Sequence, residues 1–303
     1  MRITNNTLTG NYLRNLSRNL KQMQKYQNQL SSGKEVSRPS DNPMLVSRVM
    51  NLDNSVRENE QFKKNIEDSL GWTKTADGSL SEVSATLLRA RDLIVYGANG
   101  TLSDTDRSAL MDEVNMLNEQ LTQLLNTNFD GRYIFGGQMT TEPPFSIDVD
   151  GKMIYAGDNN NIAREIAPKV GITIISDGSR ITQTSGTSTA ENQDLGNLIK
   201  NVAEALESGD LGKLSGELLG DMDAHIDNVI RFRSKMGAAY NRLEAALERN
   251  DAENLNMTEL LSKSEDIDIA EKMMEYSVMS TVYQASLSAG AKILQPSLLD
   301  YIR

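Results

Sequence analysis

Leu30-Ser31-Ser32-Gly33-Lys34-Glu35-Val36-Ser37-Arg38-Pro39-Ser40-Asp41-Asn42-Pro43 is the stretch on which the fold turns. Gly33 closes a helix, because a residue without a β-carbon takes the left-handed conformation that ends one. Ser40-Asp41-Asn42-Pro43 then opens another: polar capping side chains precede a proline at an early helical position. The stretch is therefore a joint between two helices, and each can be followed outward.

On the N-terminal side, Leu13, Leu16, Leu20, Met23 and Leu30 fall at spacings of 3, 4, 3 and 7, with Gln27 in the gap. That is a heptad seam. Residues 1–34 carry six cations and no acid. The far end of the chain mirrors this. A helix beginning near Asp266 carries Ile269, Met273, Tyr276, Ser280, Tyr283, Leu287, Gly290 and Leu294 on one heptad register, and residues 264–303 hold six acids against three bases. The two ends are expected to pair, with opposite charge helping the register. One thin seam offsets little chain entropy, so the ends are expected to be disordered in the monomer.

On the C-terminal side of the joint a long helix is expected to about residue 97. Leu45, Val49, Leu52, Val56, Ile66, Leu70, Leu80, Leu87 and Ile94 share one register, which Asn59, Lys63 and Thr73 interrupt and Gly71 and Gly78 weaken. Some 55 residues would span roughly 80 Å, an elongated element. Asn99-Gly100 ends it and Ser103 caps the next helix, with Asp104 and Asp106 favouring its dipole. Leu110, Val114, Leu117, Leu121 and Leu124 line that helix, and the short link predicts an antiparallel neighbour. Asn128 to Gly131 reads as a turn. Residues 141–196 then turn to Gly, Asp, Thr and Ile: Asp150-Gly151 between Ile147/Val149 and Met153/Tyr155 predicts a hairpin, and Val170 to Ile175 a strand. Helix returns near Leu195, and again from about Leu218 to Leu247.

Chemistry is scarce. The formal charge of −11 argues against nucleic acid, whose phosphates need clustered cations. Without cysteine there is no disulfide, thiolate chemistry or Cys-type zinc site. Walker, dinucleotide, zinc-protease and nucleophile-elbow motifs are missing. The single histidine, His225, has no second ligand-type partner in the sequence pattern. Asp148-Val149-Asp150-Gly151 fails the calcium-loop spacing and reads as turn chemistry. Asp266 and Asp268, at a helix start, read as caps. No catalytic, cofactor-binding or metal residue is expected, and neither is an enzyme. With no apolar leader and no membrane-length run, neither a cleaved signal nor a membrane partner is expected. With aromatics at only 5% of residues, burial supplied by neighbouring copies is the natural complement to the seams.

The motifs are nevertheless specific. Leu30 to Pro43 resembles the LSSGxxVxxPSDDP stretch of the flagellin-like family, with Asn42 where a second Asp is common. Thr75-Ala76-Asp77-Gly78-Ser79-Leu80, Asn99-Gly100-Thr101-Leu102-Ser103 with Asp106-Arg107, Met236-Gly237-Ala238 and Asn241-Arg242-Leu243 resemble further stretches of that family. Tyr133-Ile134-Phe135-Gly136-Gly137 with Pro143-Pro144-Phe145, Asp266 to Glu271, Tyr283 to Leu287 and the closing Leu298-Leu299-Asp300-Tyr301-Ile302-Arg303 are similar to its hook–filament junction branch.

The resemblance implies a mainly α fold: an elongated flagellin-like helical bundle with terminal coiled-coil helices and a small β-rich insertion domain. Residues 1–43 and 263–303 would be the paired ends, 44–140 and 197–262 the long-helix bundle, and 141–196 the outer domain. It implies a secreted, extracellular structural subunit joining hook to filament, exported by the flagellar type III system. Its partners would be copies of itself in a ring, the first hook-associated junction protein on the hook side, flagellin on the filament side, and an export chaperone at the C-terminal helix. Leu13, Leu16, Leu20, Met23, Leu30, Ile269, Met273, Tyr276, Tyr283, Leu287 and Leu294 would form the subunit-assembly seams. The alternatives are a filament flagellin with a small outer domain, a secretion-system needle or tip protein, and a secreted enzyme with its site in 141–196.

Overall fold

The computed structural model describes residues 5–184 and 192–293, with backbone alone for residues 5, 6, 292 and 293. Its elements run α1 (Asn5–Ser32), α2 (Pro43–Gly97), α3 (Asp104–Leu125), β1 (Asn128–Phe129), β2 (Arg132–Tyr133), β3 (Phe145–Ile147), β4 (Met153–Tyr155), β5 (Ile162–Ala167), β6 (Val170–Ile174), α4 (Ser179–Thr182), α5 (Leu195–Ser208), α6 (Leu211–Lys213), a π-helical turn (Leu214–Leu218), α7 (Leu219–Glu265) and α8 (Ile269–Ile293). They form two compact units. A terminal unit takes residues up to 58 and from 253 on, and a central unit takes Asn59–Ala252. The fold is mainly α, with long helices toward both ends and a small strand-containing insertion.

In the central unit α2 and α3 run antiparallel: the Ser79 hydroxyl donates to Leu124 O at 2.6 Å, and Arg89 pairs with Glu113 at 2.6 Å. The expected cap of α3 is present, as a reciprocal capping box between Ser103 and Asp106. α7 runs antiparallel to α2 in turn, tied by Arg233–Asp77 at 3.2 Å and Arg91–Asp223 at 2.5 Å. On the expected stripe of α2, Ile66, Leu80, Leu87 and Ile94 are buried.

The residues that interrupt that stripe stay on it. Thr73 is buried and donates to Ser69 O at 2.8 Å. Lys63 reaches Asp251 at 2.8 Å. Asn59 is buried against Asn250, each amide donating to the other's main-chain carbonyl, at 3.0 and 3.1 Å. Each interruption thus satisfies its own polar atoms, so the helix continues without losing a buried donor.

The insertion departs from a single sheet. Its strands make three separate antiparallel ribbons, β1-β2, β3-β4 and β5-β6. The segment expected to be a plain turn at 128–131 is the first of these. Asp130 and Gly131 both take positive φ, of 52° and 74°, as a two-residue hairpin requires. The hairpin at Asp150-Gly151 forms as expected. β5 escaped the sequence reading, because Arg164 and Glu165 dilute its apolar content. The ribbons do not make their own core. Phe145, Met153, Ile174 and Ile181 join Leu80, Leu87, Leu121, Leu198 and Val229 in the core of the helices, and Ile166 and Ile172 pack on Ile66 and Leu243.

The Tyr133–Phe145 passage anchors this arrangement. Ile134 and Phe135 are completely buried, each worth roughly 1.5–3 kcal/mol of burial. A β-carbon at Gly136 would overlap Met139's carbonyl, and one at Gly137, whose φ is +69°, would overlap Asp158's. Phe145 is held by Asn126 at the end of α3, which donates to Phe145 O at 2.7 Å and accepts from Phe145 N at 2.9 Å.

Candidate assembly surfaces

In the terminal unit α1 and α8 pack antiparallel. The Tyr12 hydroxyl donates to Ser286 O at 2.8 Å, and at the other end the Lys272 ammonium stands 5.8 Å from the Tyr26 ring centre. Tyr12, Leu16, Asn19, Met23, Tyr26 and Leu30 are the half-buried residues of α1 on this side, spaced 4, 3, 4, 3, 4. Lys272, Tyr276, Met279, Tyr283, Ser286 and Gly290 repeat the same spacing on α8. Gly290 is where the Tyr12 ring lies against the helix.

The inner seam thus takes Leu16, Met23, Leu30, Tyr276 and Tyr283 from the expected set. Leu13 and Leu20 are 52% and 37% exposed, and Ile269, Met273 and Leu287 are 62%, 61% and 44% exposed. Leu13, Leu20, Met273 and Leu287 stand one residue away from the α1–α8 contact, and Ile269 is on its register but exposed at the first turn of α8. Leu294 lies outside the described residues. Tyr12, Asn19, Tyr26, Met279 and Ser286 were missed. Their signal is a seven-residue repeat of Tyr12, Asn19 and Tyr26 adjoining the leucines, which an apolar-only template discards.

The corner between the helices is the best-tied part of the unit. Gly33, at φ +72°, ends α1. Ile267 N donates to Gly33 O at 3.1 Å, and Glu35 N to Glu265 O at 2.7 Å. The buried Gln29 amide donates to Glu35 O at 2.7 Å. Lys34 pairs with Glu265, and that bond raises the lysine's pKa. Burial disfavours the Lys272 ammonium, yet Glu275 at 3.1 Å and Glu35 at 3.5 Å hold its pKa above the ordinary lysine value. Asp268 caps α8, accepting from Ala270 N at 2.9 Å and Glu271 N at 3.2 Å.

Lys34 meets an acid of the far end, Glu265, as expected, but the cations within α1 do not. Arg14, Arg18, Lys21 and Lys25 follow the inner positions by two residues, about 200° around the helix, and all four are exposed. The basic face of α1 therefore points away from α8. On the matching outer side of α8, Met274 and Val278 are 65% and 59% exposed. The pair shows a basic face on one helix and an apolar face on the other.

His225 is buried in the central unit. Its Nε2 lies 3.0 Å from Asn192 O, its Nδ1 has no partner among the described residues, and burial lowers its pKa. It sits beside the Asn192–Asp221 hydrogen bond of 2.7 Å as a packed core residue. No described helix is long and apolar enough to cross a membrane.

The bacterial flagellin N-terminal helical region matches residues 3–140, and the bacterial flagellin C-terminal helical region matches residues 219–302. Flagellar hook-associated protein 3 of Escherichia coli is 26% identical, covering 95% of this chain and 96% of its own length. Flagellin of Bacillus subtilis is 28% identical, covering 94% of each. The crystal structure of flagellar hook-associated protein 3 from Legionella pneumophila shares the fold, with a TM-score of 0.64 at 15% identity over 71% of this chain and 98% of that one.

Proposed function

The chain belongs to the bacterial flagellin family, a structural component of the flagellum, and we propose that within it this is a hook-associated protein 3, the adaptor that joins hook to filament. The observation that carries the reading is the Tyr133–Phe145 passage. It resembles the junction branch, and it anchors the insertion to the helices through two buried side chains and two sterically required glycines. End-to-end similarity to hook-associated protein 3 supports it.

The mechanism is mechanical. A bending hook and a stiff filament need a subunit that bonds each without copying either. Copies of the chain form a ring, with the first hook-associated junction protein on one side and flagellin on the other. The inner seam holds α1 to α8, while Leu13, Leu20, Ile269, Met273 and Leu287 are covered by neighbouring copies. Because so much apolar surface waits for a partner, the terminal pair orders on assembly. Export through the type III channel takes the chain outside the cell, and a chaperone covers the C-terminal helix beforehand.

The second reading, a filament flagellin, is favoured by the similarity to Bacillus subtilis flagellin. Electron microscopy of cells lacking the gene, with flagellin measured in the medium, separates the two. Bare hooks with flagellin released into the medium are expected. Bare hooks with the major flagellin gone would identify the filament subunit. Normal filaments would refute the adaptor role.

A further inference from the structure

A glycine sits in the interior of α7 without any use to the chain itself. Gly237 is exposed, and a β-carbon there would meet nothing within 4 Å. Glycine disfavours a helix by its freedom in the unfolded chain, and no internal packing requires it here. What its missing side chain leaves open is a groove between α2 and α7, with a cavity of about 280 Å³. Tyr240 gives it an apolar wall over the buried Met236, and Gly237 a notch. On its rim Asp77 is engaged by Arg233, whereas Lys74 makes no ion pair among the described residues.

The same unit carries a projection of matching chemistry. At the β3–β4 tip Val149 is 101% exposed, flanked by Asp148 and Asp150, and Gly151 closes the turn at φ +76°. A branched apolar side chain between two carboxylates fits an apolar notch with an unengaged lysine on its edge. Full exposure of Val149 shows that it does not occupy the groove of its own chain.

We propose that the β3–β4 tip of one copy inserts at the Gly237 groove of the next, Val149 on Tyr240 and a flanking carboxylate on Lys74. The inference deepens the adaptor reading and rests on it for the presence of many copies. Tip and groove are different patches, so the contact is heterologous. Such a contact propagates into a ring or helix, whereas a self-complementary patch would stop at a dimer.

The chain has no cysteine, so Val149→Cys and Gly237→Cys can be combined in junctions isolated from cells. Oxidation is expected to give a ladder of multimers from the double variant and monomers from each single variant. Filament-bearing hooks that contain the double variant and give no ladder would overturn the proposal. A second variant, Gly237→Gln, fills the notch. Its unfolding midpoint is expected to match or exceed that of the parent, while filament-bearing hooks fall by at least about tenfold, the effect of ~1.4 kcal/mol. Undiminished attachment would also overturn it. Cells lacking the gene are examined in parallel. If they keep their filaments the adaptor reading fails, while a ladder from the double variant still establishes the groove contact.

Discussion

Replacing Asn250 by Ala should destabilise the central unit by about 1–2 kcal/mol. Asn59 and Asn250 are 6% and 5% exposed, so neither amide can turn to water instead. The Asn250 Nδ2 donates to Asn59 O at 3.1 Å and to Asn59 Oδ1 at 2.5 Å. Truncation removes both bonds and leaves the Asn59 side-chain oxygen buried with no donor. An unsatisfied buried polar group costs about 1–3 kcal/mol. Alanine returns roughly 0.6 kcal/mol of helix propensity, which leaves the net figure. For a unit of this size that is a fall of ~3–6 °C in unfolding midpoint. Asn59→Leu with Asn250→Leu behaves differently. It removes both polar partners together, so the pair is expected to be neutral or more stable than the parent, with a coupling energy of at least ~1 kcal/mol. What it gives up is the selection of one register between α2 and α7, the known use of a buried Asn between helices. Urea unfolding followed by far-ultraviolet circular dichroism measures the parent, Asn250→Ala, the two Leu single variants and the double. An Asn250→Ala variant within ~0.5 kcal/mol of the parent, or a double variant that loses the sum of its two singles, would refute the reasoning.

Ser103→Ala opens the capping box of α3 and should cost about 1 kcal/mol, read as faster amide exchange in its first turn; unchanged exchange there would count against the cap. Leu287→Asp should leave the monomer's unfolding within about 0.5 kcal/mol, since the side chain is already 44% exposed, yet abolish hook attachment; normal attachment would sink its assignment to an assembly seam. Burial keeps the folded-state pKa of His225 below its ordinary 6.5, despite the Asn192 carbonyl and the carboxylates of Asp194 and Asp221. Between that lowered value and 6.5 the unfolded chain binds more protons, so stability is complete above 6.5 and declines as pH falls through the window. His225→Gln should flatten that slope, and an identical slope in both chains would be decisive against it. In a verified monomer, amides of 5–32 and 269–293 should exchange faster than those of α2 and α7 within 59–252; slow exchange at both ends would exclude ordering on assembly.

The long helices were legible because their signals are local. Asn42-Pro43 opens α2 and Asn99-Gly100 closes it, and Ser103 with Asp106 opens α3, through contacts made within one turn. The insertion was less so, because its strands are two to six residues long and their apolar side chains point into a core supplied by distant helices. Phe145 and Met153 are buried by α3 and α5 rather than by one another's strand. No alternation along three residues can announce that. The polar residues on the α2 stripe mislead for a related reason. Asn59 is a defect in a heptad until Asn250, far along the sequence, is placed opposite it.

The terminal seams show where periodicity runs out. The sets 12, 16, 19, 23, 26, 30 and 13, 16, 20, 23, 27, 30 share half their members, so an apolar count cannot separate the face that meets α8 from the face beside it. Leucine content favours the second set, and the structure uses the first. Tyr12, Asn19 and Tyr26 explain the choice: each carries an apolar or polar body that can lie half in the contact while its polar tip reaches the edge, as the Tyr12 hydroxyl does at Ser286 O. A purely apolar residue at those positions would gain little from half-burial. It would gain more from a neighbouring copy, and in the assembly proposed above Leu13 and Leu20 are the residues such a copy covers. On that proposal the overlap of the two registers lets one subunit hold its own ends together and still present an apolar stripe to the next copy. Exchanging Tyr12 and Leu13 tests this directly. The swap keeps composition and helix propensity nearly constant, but moves the hydroxyl off Ser286 and the leucine off the outer face. Both the α1–α8 contact and hook attachment should weaken together. A swapped chain that still attaches filaments would show that the two registers are interchangeable, and the division of labour between them would be wrong.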